Sequence, residues 1–167
     1  EKLWSSLGRF LQQVLPEAEE AGVHLACQLA HPAMGLAGPH ILHTLGDIDR
    51  LFGLAPSPNH GVDLDHGFFA LEGNSDPFVV IRHVSEKGRL LSVRVRATVY
   101  REEAYAQGFL DQDREAVLRA IQCYRDVSFQ GTMRPAPPPA MAEDTAWGHK
   151  GYAFSIGYLR ALLQACG

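Results

Sequence analysis

The sequence predicts an α/β fold: one leading helix followed by four strand–helix units, with the strands forming a parallel sheet. Three observations carry that expectation. Apolar residues recur at helical spacing in several long stretches, short apolar runs separate those stretches, and the two patterns alternate as in β/α units. The chain has 167 residues, 46% of them hydrophobic and 20% charged. That is enough for one domain with a core, and too apolar for disorder.

The elements follow in order. Leu3, Trp4, Leu7, Phe10, Leu11, Val14 and Leu15 form a wide apolar stripe, so the chain opens as a helix. Pro16 is expected to kink or restart it, and Gly22 to end it. Residues 23–29 (VHLACQL) read as the first strand, followed by a Pro- and Gly-rich loop over 31–39. Thr44 reads as a helix cap with Asp47 near the positive helix end. Leu45, Ile48, Leu51 and Phe52 supply that helix's buried face, and Pro56 and Pro58 break it.

Residues 61–65 (GVDLD) make a short second strand. Ser75-Asp76-Pro77 opens a helix reaching about Lys87, with Pro77 in the tolerated first turn. The clearest strand is 90–98 (LLSVRVRAT). Residues 112–125 are helical, with Val117, Leu118, Ile121 and either Cys123 or Tyr124 facing inward. A fourth strand is expected over 127–133 and a last apolar helix over 152–165. Residues 135–139 (PAPPP) are stiff loop.

Composition narrows the function classes. Fifteen Lys and Arg against 19 Asp and Glu leave a net charge of −4, which argues against a general nucleic-acid binder. No apolar run approaches the roughly 18 residues of a membrane span, and no charged segment leads into an apolar signal core. Cys27, Cys123 and Cys166 form no C-x-x-C pair, which suits reduced thiols in a cytoplasmic protein. The chain begins at Glu1 without Met, already within helical patterning, so a removed start or a longer parent protein is expected.

Four β/α units can make a small open sheet or half of an eight-unit barrel, which needs about 250 residues. No G-x-G-x-x-G or G-x-x-x-x-G-K-[ST] follows any strand, so a nucleotide-binding open sheet has no support. A half barrel leaves strand edges unpaired. A partner half is therefore expected, in the same natural chain or from a second copy in a homo-oligomer.

In such architectures functional groups sit at the C-terminal strand ends. Those positions hold Gln28 and His31 after the first strand, Asp65 and His66 after the second, Arg94 and Arg96 on the third, and Arg134 after the fourth. Asp63 and Asp65 alternate, so they share one strand face and, if buried, need partners or a metal. Arg94 and Arg96 also share a face. They would suit a carboxylate ligand, or would pair with the strand-end acids. Asp65-His66-Gly67 reads equally as site or as turn.

Five segments, in collinear order, resemble one family. PEAEEAGVHLA (16–26), PHIL (39–42), GVDLDHG (61–67), TMRP (132–135) and GHKGYAFSIGYLRALLQA (148–165) are similar to the C-terminal half of mannonate dehydratase, a xylose-isomerase-like (β/α)8 barrel. The resemblance implies a single partial TIM-barrel domain over 1–167, units 5–8 of the barrel. It implies loss of water from D-mannonate to give 2-keto-3-deoxygluconate, a lyase step in glucuronate catabolism. It also implies a manganese or iron ion held by His, Cys, His and Asp at the four strand ends.

Carried onto this chain, the family's first His falls on Gln28 by strand position, or on His31 by its His-Pro pair. The Cys falls on Asp65, the second His on Arg94 and the Asp on Ala136. Asp65, His31 and His66 are then the candidate metal ligands. Arg94, Arg96 and Arg134 are the candidates for binding the sugar acid. Tyr152, which matches the family's tyrosine, is the candidate proton-transfer residue. Two function classes follow: a metal-dependent hydro-lyase with a rearranged ligand set, and a non-catalytic sugar-acid-binding or scaffolding relative.

Overall fold

Three helices of this chain leave by the same hydrogen-bonded exit, and each exit leads toward a strand. A computed structural model describes residues 1–28, 41–42, 44–67, 76–101 and 104–166. Helix α1 (Lys2–Glu20) ends at Gly22, whose φ is +64°. There the Val23 N–H donates to the Ala18 carbonyl at 2.8 Å and the Gly22 N–H to the Glu19 carbonyl at 3.1 Å. This is a Schellman exit, and it needs a left-handed residue at its pivot. The same two bonds recur around Gly88 (φ +66°) and around Ser128 (φ +53°). Each exit reverses the chain and leads it toward a strand.

Pro16 does not restart α1, which runs unbroken through it; the proline lies inside the helix on the exposed face. A proline there removes one N–H from the helix ladder. Of the expected stripe, Trp4, Leu11 and Leu15 are buried, whereas Leu3 and Phe10 point outward. Helix α2 (Leu45–Leu54) carries the expected cap as a reciprocal box. Thr44 Oγ1 accepts from the Asp47 N–H, and Asp47 Oδ2 accepts from the Thr44 N–H at 2.9 Å. Helix α3 (Pro77–Glu86) starts on Asp76, whose carboxylate accepts from the Phe78 N–H at 2.9 Å.

The four strands β1 (Leu25–Gln28), β2 (His60–Asp65), β3 (Leu90–Val95) and β6 (Thr132–Pro135) form one parallel sheet in the order β1-β2-β3-β6. Strand β2 is buried along its whole length, as a central parallel strand should be. Val62, Leu64 and Val93 pack with Ile48, Leu51, Val80, Ile81 and Val84 of α2 and α3, all fully shielded.

Two expectations change. The third strand ends at Val95 rather than Thr98, because the chain leaves the sheet at Arg96. It forms an antiparallel hairpin of β4 (Ala97–Arg101) and β5 (Ala104–Gly108). The fourth strand starts at Thr132 rather than 127, because residues 127–129 are consumed by the third Schellman exit. A 3-10 turn (Leu110–Asp113) leads into α4 (Arg114–Asp126), and α5 (His149–Ala165) closes the described chain. Val95, Leu110, Val117, Ile121 and Leu159 form a second core cluster joining β3, the 3-10 turn, α4 and α5.

Ser128 is the one exit pivot with a side chain, and left-handed backbone costs a non-glycine residue about 1–2 kcal/mol. Replacing Ser128 with Gly is expected to raise unfolding stability by about 1 kcal/mol, and replacing Gly88 with Ala to lower it by a similar amount. Urea unfolding of the two variants checks both signs.

Candidate functional site

Parallel register decides which polar groups meet. Asp63 lies beside Gln28 of β1 and Ser92 of β3, and Asp65 lies beside Arg94, which lies beside Arg134 of β6. Alternation along each strand turns Asp63, Asp65, Ser92, Arg94 and Arg134 to the same side of the sheet. A row of charges therefore crosses three strands near their C-terminal ends.

Asp63 is the centre of that row. Its Oδ1 accepts from Ser92 Oγ at 2.6 Å. Its Oδ2 accepts from Arg94 through Nε at 3.1 Å and Nη2 at 3.0 Å, and also from Arg134 Nη2. The Asp63 side chain is 5% exposed and Arg94 15%, whereas Arg134 is 48% exposed. Asp65 is paired separately: Arg96 reaches both its oxygens, with Nη2 to Oδ2 at 2.7 Å and Nε at 2.9 and 3.2 Å. Gln107 of β5 accepts from Arg96 Nη1 at 2.8 Å.

Gly67 makes room for this second pair. A Cβ there would meet the Arg96 Cδ at 2.9 Å, so only glycine lets the arginine stem pass. The Asp65-His66-Gly67 segment is thus part of the charged row as well as a strand exit. Patterning along the sequence does not reveal the hairpin that supplies Gln107. Its one signal was the alternation that continues past Val95, which reads as a longer strand until the reversal is seen.

His66 turns into the protein. It is buried, its Nδ1 lies 3.4 Å from Tyr124 Oη, and its ring meets the Tyr124 ring edge-on at 6.1 Å. Burial pushes the His66 imidazole below the usual histidine range and the Tyr124 phenol well above its own. Tyr124 was expected only as a core residue; it is the partner that sequence reasoning missed for His66.

Tyr152 stands in the first turn of α5, half-buried, with its ring beside Gly148. That helix start is held by Asp144, whose carboxylate accepts from the N–H groups of Thr145, Lys150 and Gly151. Those bonds hold the Asp144 carboxyl below its usual range. Ala136 is buried, and its N–H donates to the Val95 carbonyl at 2.9 Å. Gln28 is exposed at the end of β1. His31 lies outside the described residues. The structure thus brings together Asp63, Asp65, Arg94, Arg96 and Arg134, and gives His66 a separate, internal environment.

The D-mannonate dehydratase (UxuA) family model matches residues 1–167. The chain belongs to that family. It is 30% identical to "Mannonate dehydratase 2" of Halalkalibacterium halodurans over 97% of this chain and 47% of that protein. It is 28% identical to the mannonate dehydratase of Streptococcus uberis over 99% of this chain and 49% of that protein. The chain thus spans about half the length of the curated relatives it matches.

Among solved structures, the mannonate dehydratase from Streptococcus suis serotype2 superposes with a TM-score of 0.85 at 24% identity, over 98% of this chain and 49% of that one. A xylose isomerase domain protein from Planctomyces limnophilus superposes with a TM-score of 0.71 at 14% identity, over 96% and 54%. These likenesses show the fold: the four parallel units superpose on about half of a xylose-isomerase-like barrel. No helix among the described residues is long and apolar enough to cross a membrane.

The family reading implies a divalent metal, and the residues at these strand ends do not fit one. Asp65 is the hard-oxygen donor expected for the ion, yet both its oxygens accept from Arg96. Arg94 stands where a neutral ligand is needed, and its cation repels a divalent ion. Ala136 has no donor. No group of three or more His, Cys, Asp or Glu among the described residues is arranged to hold a metal.

Two outcomes follow from the charged row and the buried histidines. Asp63→Ala leaves Arg94 shielded beside a vanished acid, and removing one member of a buried pair costs about 3–5 kcal/mol. Arg134→Ala acts on a half-exposed group and should cost less than about 1 kcal/mol. Denaturant unfolding of the two variants measures this difference. Burial also lowers the folded-state pKa of His60 and His66, while unfolded histidine titrates near about 6.5. The unfolded chain therefore binds more protons on acidification, and stability rises with pH through that window. The melting temperature should fall between about pH 7 and about pH 5.5, and His66→Phe should flatten that fall.

Proposed function

We propose that this chain binds a sugar acid of the D-mannonate class at the C-terminal ends of β2, β3 and β6, with Arg134 as its carboxylate contact. The observation that carries this is the sharing of Asp63. One carboxylate accepts from two guanidinium groups, Arg94 and Arg134, and Arg134 is the half-exposed one. Three arginines face two aspartates in this row, so one positive charge is uncompensated within it. A guanidinium with free N–H groups beside an uncompensated positive charge suits an incoming carboxylate. Arg94 and Arg96, more deeply shielded, act on the ligand by holding the row in place.

Family membership supplies the substrate class, and β/α architecture supplies the location. The domain is then residues 1–167 as the last four units of a barrel, with a second half barrel completing the mouth. Strands β1 and β6 stand at the ends of the described sheet, where such a half would pair. The engagement of Asp65 by Arg96, and the cation Arg94 at a strand end, favour the binding role over metal-dependent dehydration.

A second reading, hydro-lyase activity on D-mannonate to 2-keto-3-deoxygluconate, is favoured by the family match. Dehydration beside a carboxylate needs a base for the C2 proton and an acid for the departing hydroxyl. Tyr152, at the strand-end side of α5, is the residue we assign to proton transfer in that case.

Calorimetric titration discriminates ligand chemistry. D-Mannonate is expected to bind and the neutral sugar D-mannose not to, and Arg134→Ala should weaken D-mannonate by roughly 10- to 100-fold, as for loss of a charged hydrogen bond. Equal behaviour of the two ligands removes the reading. Formation of a keto-deoxy acid from D-mannonate, abolished by Tyr152→Phe, establishes the second reading instead.

A further inference from the structure

We infer that Arg94 is a built-in cation at this barrel mouth, and that ligand recognition here is independent of divalent metal. The ligand part of this inference rests on the sugar-acid reading above; the metal part stands on the geometry alone.

Consider first what a divalent ion would have to displace. An ionised carboxylate offers about four lone-pair sites. On Asp63, Oδ2 accepts three N–H donors, from Arg94 Nε, Arg94 Nη2 and Arg134 Nη2, and Oδ1 accepts from Ser92 Oγ. Oδ2 is saturated, and the lone pair left on Oδ1 belongs to a carboxylate whose charge two guanidinium groups already share. Asp65 directs both oxygens at Arg96. An ion could take both oxygens of either acid only by displacing arginine N–H groups, and at a single Oδ1 it would sit beside a guanidinium that stays charged at any relevant pH and repels it.

The arginines are also fixed against such a move. Arg94 is pinned by its place on β3 between Asp65 and Arg134, and it spends two N–H groups on one oxygen. Arg96 is gripped at its far side by Gln107 of the hairpin, and its stem runs in the space left by Gly67. Both therefore meet their acids in preset geometry, which lowers the ordering cost of each pair. The local need that a metal would meet is already met by these side chains: positive charge to hold strand-end carboxylates together and to draw an anionic ligand.

His66 gives the same answer from a different direction. Its ring is buried against Tyr124, with Nδ1 3.4 Å from Tyr124 Oη, so it is spent on the interior.

The test uses the full natural chain, purified through EDTA, and Mn2+ as the probe. Free aqueous Mn2+ is followed by electron paramagnetic resonance as it is added, and D-mannonate binding is measured by calorimetry with EDTA and with excess Mn2+. The expected result is an undiminished free-Mn2+ signal at equimolar addition, with D-mannonate affinity equal within about twofold in the two conditions. Uptake of one Mn2+ per chain overturns the inference, even where D-mannonate binds. A tenfold gain in affinity with Mn2+ overturns it as well.

If D-mannonate binds in neither condition, the sugar-acid reading and the ligand part of the inference both fall. The metal part then stands or falls on the Mn2+ signal alone. The Arg94→Lys and Arg94→Met pair adds a readout that packing alone does not move. Lysine keeps the cation and should keep D-mannonate binding within a few-fold, whereas methionine, of similar length, should lose at least about tenfold. Equal loss in both variants overturns the assignment of Arg94 as the working cation.

Discussion

The sharing of one shielded carboxylate by two strands organises the strand-end face of this half barrel. Asp63 stands in the middle of the central buried strand, and it links β2 to β3 through Ser92 and Arg94 and to β6 through Arg134. A buried carboxylate with no partner would be costly, so the arginines on the neighbouring strands are conditions of the fold as much as features of a site. The same interaction sets the chemistry of the mouth, because the group that satisfies Asp63 from β6 is also the one that reaches solvent.

The remaining architecture protects that row from beneath and from the side. The apolar residues of β2 and β3 close against α2 and α3, which places the acids at the end of a dry core. The hairpin leaves the sheet at Arg96 and returns Gln107 to the same guanidinium. The start of α5 is held by Asp144, so the segment from β6 to Tyr152 is anchored at both ends. These are separate local devices, and all of them act on the strand-end face.

Family membership and site chemistry point in different directions here, and the physical reason is simple. A β/α scaffold is held by apolar packing, helix exits and register, none of which consults the identity of the strand-end side chains. Those side chains can change from ligands to ion pairs while the fold persists, provided that each buried charge keeps a partner. In this chain each shielded acid of the row has its arginine, and the third arginine, Arg134, leaves the row with an excess positive charge.

Much of this was determined by the sequence alone. Helical and strand-like patterning defined the alternation of elements, Thr44 and Asp47 their cap, Asp76 and Pro77 another start, and five collinear segments the family. Period-two spacing also showed that Asp63 and Asp65 share a face, as do Arg94 and Arg96. Whether those groups meet a ligand or each other was undecided, because register between strands is a long-range property that spacing along one strand does not encode. Tertiary structure decided it by setting Asp65 beside Arg94 and Arg94 beside Arg134. Tertiary structure also decided the end of β3 at Val95 and the inward turn of His66, since both depend on neighbours distant in sequence: the hairpin partner β5 for the first, and Tyr124 for the second.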